Sequence, residues 1–295
     1  MFTAGCTFLL LIAGALVTSN DAGLSVPDWP TSFGSFRMPP MVGGVKFEHG
    51  HRMVAGFVVL LCLILTVWTF FADRRPWMRK LLVAAMATVV AQAVLGGITV
   101  LFYLPPWIST AHATLAQTFF CLLVAAALGS GREWMEGGPR QIMDARRPRL
   151  TTLTVVTAGA VYLQLILGAA FRHSAIKLLP HLIGAGVVSA LILWTVTRVL
   201  TDYGRIPALR RPAVALLGIL LVQLGLGFGS FLTKVDWGKD APQPLLSMVA
   251  TTVAHVAVGA LLLATSVVLA MQARRHLVSA ADPVPRAASQ KVVTA

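Results

Sequence analysis

Charge is scarce in this 295-residue chain, where only 12% of residues are Asp, Glu, Lys or Arg and 57% are hydrophobic. With a mean hydropathy of +0.78, that composition excludes an ordinary water-soluble domain. Acidic side chains are the rarest of the charges, 11 against 24 Lys and Arg. Cysteine is almost absent. Cys6, Cys62 and Cys121 all fall inside apolar runs, which argues against a structural disulfide and leaves them as small core residues. No nucleotide-binding or iron–sulfur motif occurs anywhere in the chain.

What is present is long apolar runs. Crossing the hydrocarbon core as a helix takes roughly 17 to 25 apolar residues. Eight such spans are predicted, at about 2–18, 51–71, 81–101, 109–129, 151–170, 179–200, 212–232 and 248–272. The chain is therefore expected to be an all-α integral membrane protein. Its first run is expected to be a span and not a cleaved signal peptide, because no basic segment precedes it here and no small-x-small cleavage site follows it. The run begins unusually close to Met1, which is compatible with a translation start upstream.

The basic residues set the orientation. Arg74, Arg75, Arg79 and Lys80 follow the second span, and Arg132, Arg140, Arg146, Arg147 and Arg149 follow the fourth. Arg205, Arg210 and Arg211 follow the sixth, and Arg274, Arg275, Arg286 and Lys291 the eighth. By the positive-inside rule these segments and both termini are cytoplasmic. The net charge of +13 is then a topology signal and not a nucleic-acid footprint, since the charges sit in short loops between spans.

Each even-numbered span carries a histidine at a matching place: "HRMVAG" from His51, "HATLAQ" from His112, "HLIGAG" from His181 and "HVAVGA" from His255. Four residues on, and so on the same helix face, stand Ala55, Ala116, Ala185 and Gly259, leaving a gap against which a flat ligand could lie. The odd spans repeat as well, with Gln92 and Gly96, Gln164 and Gly168, and Gln223 and Gly227, while the first span keeps "AGALVT" without the glutamine. Spans one to four and five to eight thus read as two copies of a four-helix unit in one orientation. This predicts two four-helix bundles about a pseudo-twofold axis along the membrane normal. The expected division is 1–130 for the first half with a long external loop at 19–47, 131–150 for a cytoplasmic linker, and 151–272 for the second half. A basic cytoplasmic tail at 273–295, expected to be disordered, completes the chain.

The histidines lie near the outer ends of their spans, two per half at similar depth. A lone membrane histidine is usually a packing or hydrogen-bonding group, but four in register beside small residues point to ligands. Zinc and copper sites ordinarily add Cys, Asp or Glu, and none stands beside His181 or His255. Haem needs only axial histidines and an apolar slot, so haem iron is the expected partner of His51, His112, His181 and His255. His49 and His173 read as loop or interface residues, and His276 belongs to the basic tail.

The halves differ at "KFEHGHRMVAG", where Glu48 stands three residues before His51 and four before Arg52. Two readings stand: an ion pair at the start of the helix, or an Arg52 that holds a carboxylate such as a haem propionate beside a Glu48 poised for proton transfer. The loop at 19–47, rich in Gly and Pro and carrying Asp21, Asp28, Trp29 and Arg37, reads as a lid over this site, with Trp29 alternatively an interfacial anchor. Arg172 and Lys177 flank the sixth span as candidate partners for the carboxylates of a second ligand, or as charges that snorkel to the interface.

The set formed by "GALVTSNDAGLSVPDWP", Glu48-x-x-His51-Arg52, "AQAVLGGITV", His112, "LQLILGAAFR", His181 and His255 resembles the haem A synthase family over about residues 10–272. The resemblance implies an inner-membrane oxidase with two pseudosymmetric halves that converts haem O to haem A for terminal cytochrome oxidases, by oxidising the C8 methyl group to a formyl group. It implies that His51 and His112 bound the substrate haem, that His181 and His255 are axial ligands of a resident haem b, and that Glu48 is catalytic. Haem O synthase is then the implied substrate donor, and a quinol or ferredoxin-type partner the electron donor. Some members carry a cysteine pair in the first external loop; residues 19–47 have none, so no mechanism based on a thiol pair there operates. Iron held by two histidines has no open position for oxygen, so either one ligand leaves or oxygen acts elsewhere. A bis-histidine electron-transfer cytochrome b and a haem carrier are the alternatives, and Glu48 beside only one site favours the enzyme. Small-residue faces such as 225–230 allow packing within the chain or in a homo-oligomer.

Overall fold

A computed structural model describes residues 1–136, 142–241 and 244–278. Eight long helices carry the architecture: α1 (Phe2–Ser19), α2 (Val45–Ala72), α3 (Pro76–Leu101), α4 (Pro106–Gly129), α6 (Leu150–Arg172), α7 (Leu178–Tyr203), α8 (Pro207–Ser230) and α9 (Leu246–His276). A short α5 (Arg132–Glu136) follows α4, and a π-helical turn (Phe231–Asp236) continues α8. All eight are long and apolar enough to cross a membrane, and the chain is a multi-pass membrane protein. Large apolar side chains such as Phe57, Leu60, Ile64, Trp68 and Phe71 on α2 point outward, the reverse of a water-soluble surface.

Proline sets several helix starts. Pro76, Pro106 and Pro207 occupy the first turns of α3, α4 and α8, where the missing N–H costs nothing. Arg75, held extended by the following proline, separates α2 from α3. Asp73 receives the Arg75 side chain at 2.6 Å, which lowers the Asp73 carboxyl below the usual carboxylate range. Another Arg75 nitrogen caps the end of α4 through Gly129 O at 2.9 Å.

Packing divides the helices into α1–α4 and α6–α9. Within each group, neighbours in sequence pack together and the first packs on the last. Between groups, α4 packs on α9, α1 on α9 and α4 on α6. Exchanging α1–α4 for α6–α9 in order carries every one of these helix pairs onto another of the set. Each group has its own core, around Val58, Leu82 and Phe119 in the first and Ile192, Leu216 and Leu269 in the second. Leu11, Phe120, Ala260 and Ala264 fill the seam.

Two features differ from the sequence expectation. The helices outrun the apolar spans: α2 begins at Val45, so Glu48 and His51 lie inside it and not at its mouth, because backbone hydrogen bonding continues where hydropathy falls. The start of the tail expected to be disordered from 273 is ordered: α9 runs to His276, and Leu277–Val278 pairs in parallel with Ile142–Met143 of the linker, where buried Asp144 accepts from Leu150 N–H at 2.7 Å and Tyr203 O–H at 2.9 Å. Arg140 of the linker and the tail at 279–295, including Arg286 and Lys291, lie outside the described residues.

Candidate functional site

The four histidines share one packing arrangement. Each ring lies against a glycine of the preceding long helix, so close that a Cβ on the glycine would meet the ring Cε1: Gly14 with His51 at 3.1 Å, Gly96 with His112 at 3.0 Å, Gly168 with His181 at 2.9 Å and Gly227 with His255 at 3.1 Å. The odd-helix glycines and even-helix histidines, read from the sequence as separate repeats, are thus one contact made four times. Glycine allows this approach: a Cβ at Gly168 would force the ring to shift, and at the other three it would press the ring by a few tenths of an ångström.

The glutamines complete the unit. Gln92 Nε2 lies 3.3 Å from His112 Nε2, Gln164 Nε2 3.0 Å from His181 Nδ1, and Gln223 Nε2 3.3 Å from His255 Nε2. A neutral imidazole has one donor and one acceptor nitrogen, and a carboxamide can turn over to meet either. The small residues after the histidines do not all leave the expected gap. A Cβ at Gly259 would lie 3.2 Å from both Gln223 Nε2 and Leu165 Cδ2, so the glutamine sits in that space.

In the second half the rings of His181 and His255 face each other with centroids 6.3 Å apart and planes at 82°. Imidazoles binding one metal ion from opposite sides, with nitrogen–metal bonds of about 2.0–2.1 Å, stand about 6 Å apart. Among the described residues no group of three or more His, Cys, Asp or Glu could hold a metal ion. The donor set therefore suits a metal whose remaining ligands come from a macrocycle, and His181 and His255 fit haem iron. Arg172 turns to the first half, donating to Ala15 O at 3.1 Å and Ser19 Oγ at 2.6 Å. Ser19 in turn pairs with Thr252 of α9 at 2.9 Å. Lys177 is exposed at the start of α7. Sequence reasoning missed Lys234, in the π-helical turn, which lies within electrostatic reach of Arg172 and Asp21. An unusual backbone turn leaves no clear signature in composition.

In the first half Glu48 is buried although charged neighbours surround it. Its Oε1 accepts from Arg52 Nη2 at 2.7 Å and its Oε2 from Val26 N–H at 2.8 Å. Arg52 also donates to the backbone oxygens of Asp28 at 2.8 Å, Thr31 at 3.0 Å and Val26 at 3.3 Å. The ion-pair reading of Glu48 and Arg52 thus describes the structure, and the same arginine ties down the external loop. Asp28 accepts from Phe33 N–H at 2.6 Å, Gly34 N–H at 2.8 Å and the Thr31 hydroxyl, and the hydroxyl above all holds its carboxyl below the usual range. His49 joins the loop through Ser32 Oγ at 2.9 Å.

Trp29 gives the loop its second anchor. Its indole lies on Gly97, so close that a Cβ there would be 2.5 Å from Cδ2, next to the Gly96 that backs His112. The segment therefore runs from Arg52 on α2 to Gly97 on α3, across the end of the first half that carries Glu48. A groove of about 380 Å³ opens between α3, α4 and α6, lined by Leu95, Ala111, Leu115 and Ile166 among others.

A multi-pass membrane protein with two histidine pairs on glycine-backed helices and, among the described residues, a buried carboxylate beside one pair only, is the class that fold and site define. Comparison with known proteins narrows it. The sequence model of the family described as cytochrome oxidase assembly protein matches residues 45–179. A protein of Symbiobacterium thermophilum named heme A synthase is 32% identical over 250 residues, 74% of this chain and 80% of its own length. Proteins of the same name from Listeria welshimeri and Lysinibacillus sphaericus are 31% identical over 128 residues and 30% over 168. Those matches span 43% of this chain and 41% of the Listeria protein, and 56% and 54% for Lysinibacillus. The chain thus covers less than half the length of the Listeria relative. The chain belongs to the haem A synthase family.

Proposed function

We propose that this protein makes haem A from haem O, oxidising the C8 methyl group of the porphyrin to a formyl group for use in terminal cytochrome oxidases. The observation that carries the reading is the asymmetry of two otherwise matching halves: each has a glycine-backed histidine pair, and among the described residues only the first has a buried carboxylate, Glu48, one turn from a histidine. Pure electron transfer or haem carriage gives no reason for that carboxylate.

His51 and His112 bound the substrate haem, and His181 and His255 hold a resident haem b. When bound, that haem supplies one-electron transfer. Glu48 holds or moves a proton as hydrogen leaves the methyl carbon, a role suited to a carboxylate shielded from water by the loop. Arg52 holds Glu48 in place through their 2.7 Å ion pair, and gains a propionate where loop carbonyls exchange for it. Arg172 and Lys177 serve the carboxylates of the second haem. Haem O comes from haem O synthase; dioxygen is the oxidant of the methyl group, and a quinol or ferredoxin-type donor supplies the electrons that reduce it. The chain lies in the cell inner membrane with its haem sites towards the outer leaflet, an orientation supported by the distribution of Arg and Lys.

Glu48→Gln keeps the shape of the side chain and removes its charge. It is expected to abolish haem A formation while haem content and the low-spin absorption of the purified protein stay close to those of the parent. Undiminished haem A formation would remove Glu48 from the mechanism.

A further inference from the structure

Lys234 is a half-buried cation with nothing in contact to balance it. It lies in the π-helical turn that continues α8, and among the described residues it makes no hydrogen bond or ion pair. The turn is pinned beside the second histidine pair. Buried Thr233, the residue before Lys234, pairs with Thr251 of α9 at 2.8 Å, and Thr251 stands four residues, about one helical turn, before His255. Gly227, the glycine behind the His255 ring, precedes Lys234 by seven residues on the same helical run.

Basic side chains gather at this place. Arg172 lies within electrostatic reach of both Lys234 and His255, and His173 within reach of Arg172, Lys234 and His112. Among the described residues Asp21 is the acid within reach of Arg172 and Lys234. Arg172 already spends one guanidinium nitrogen on Ala15 O and Ser19 Oγ of α1. Charges taken out of water are ordinarily paired, yet here two cations share one carboxylate and one positive charge is left over. A lysine that only snorkels keeps its ammonium in water, whereas Lys234 sits near a second cation beside a histidine pair.

From this cluster we infer that Lys234 binds a carboxylate of the ligand held between His181 and His255. The inference rests on the haem reading above, on which that carboxylate is a propionate of the resident porphyrin. It adds Lys234 to Arg172 and Lys177 as cations serving the second haem. It also gives the π-helical turn a task, since such turns are frequent where a helix meets a ligand site. Lys234 is a binding residue and takes no part in the oxidation.

The test uses the full chain carrying His112→Ala, which removes the histidine pair of the first half, prepared without haem. It is titrated with haem b or with haem b dimethyl ester, whose carboxylates are capped, and uptake is read from the low-spin absorption. Adding Lys234→Met is expected to weaken haem b binding about tenfold or more, the worth of one charge-assisted hydrogen bond. Binding of the diester is expected to stay unchanged. Equal weakening of both, or weakening of neither, overturns the inference and leaves the haem reading standing. A chain with His181 and His255 intact that takes up neither porphyrin overturns the haem reading and the inference with it. If Lys234→Met does not fold, Lys234→Gln is read in the same way.

Discussion

The imidazole rings of His181 and His255, on α7 and α9, face each other across 6.3 Å at an angle of 82°. Among the described residues no acidic or thiol side chain joins them to complete a metal site. Replacing either by Ala is expected to cost more than about a hundredfold in affinity for the resident haem, since even outer hydrogen-bond partners of such ligands are worth 10–100-fold. The check is the haem-to-protein ratio and the loss of the low-spin band, with helix content by circular dichroism unchanged.

The glycine beneath each ring gives a sharper test of the same packing. A Cβ at Gly168 would sit 2.9 Å from His181 Cε1, whereas at Gly186 it would meet nothing within 4 Å. Gly168→Ala is expected to displace the imidazole and perturb the low-spin spectrum. Gly186→Ala should leave the spectrum alone and, by restricting the unfolded chain, stabilise by about 0.4–1 kcal/mol.

Arg52 holds the external loop as well as Glu48. Arg52→Leu leaves the buried Glu48 carboxylate without its cation and releases three loop carbonyls. Breaking such a pair costs on the order of 3 kcal/mol, less where water reaches the arginine. Limited proteolysis within 19–47 is expected to become rapid, and Arg52→Lys to recover only part of the protection, because an ammonium cannot reproduce the planar fork.

Much of this was legible in the sequence. Hydropathy marked all eight spans, and the repeated histidines and glutamines identified the groups that meet, because residues at one helix turn must share a face. What the sequence did not give was which helix each face meets. Gly14 survived only as part of "AGALVT", and its contact with His51 needs the packing of α1 on α2. The attachment of Trp29 to Gly97 and of Arg52 to the carbonyls of Asp28 and Thr31 involves backbone groups and close approach in space, which leave no periodic trace.

Acid should loosen the outer surface in two stages. Burial, then the neighbouring Arg172, His112 and Lys234, push the His173 imidazole down to about 4 from an ordinary value of 6.5. A base whose folded pKa is depressed favours the fold while neutral, so that stability is lost as pH falls from 6.5 towards 4. Asp28 has a folded pKa below 3.8, and its contribution is present above that value and lost as pH falls further. Thermal melting against pH should show the first decline, and Asp28→Asn should remove the second.

The most direct test of the central claim is to express the chain in a host that makes haem O but no haem A, purify it, and identify the extracted haems by chromatography with mass detection. Haem A alongside haem b is the expected result. Haem b alone, despite abundant haem O, would contradict the account and leave the chain an electron-transfer cytochrome on the same fold.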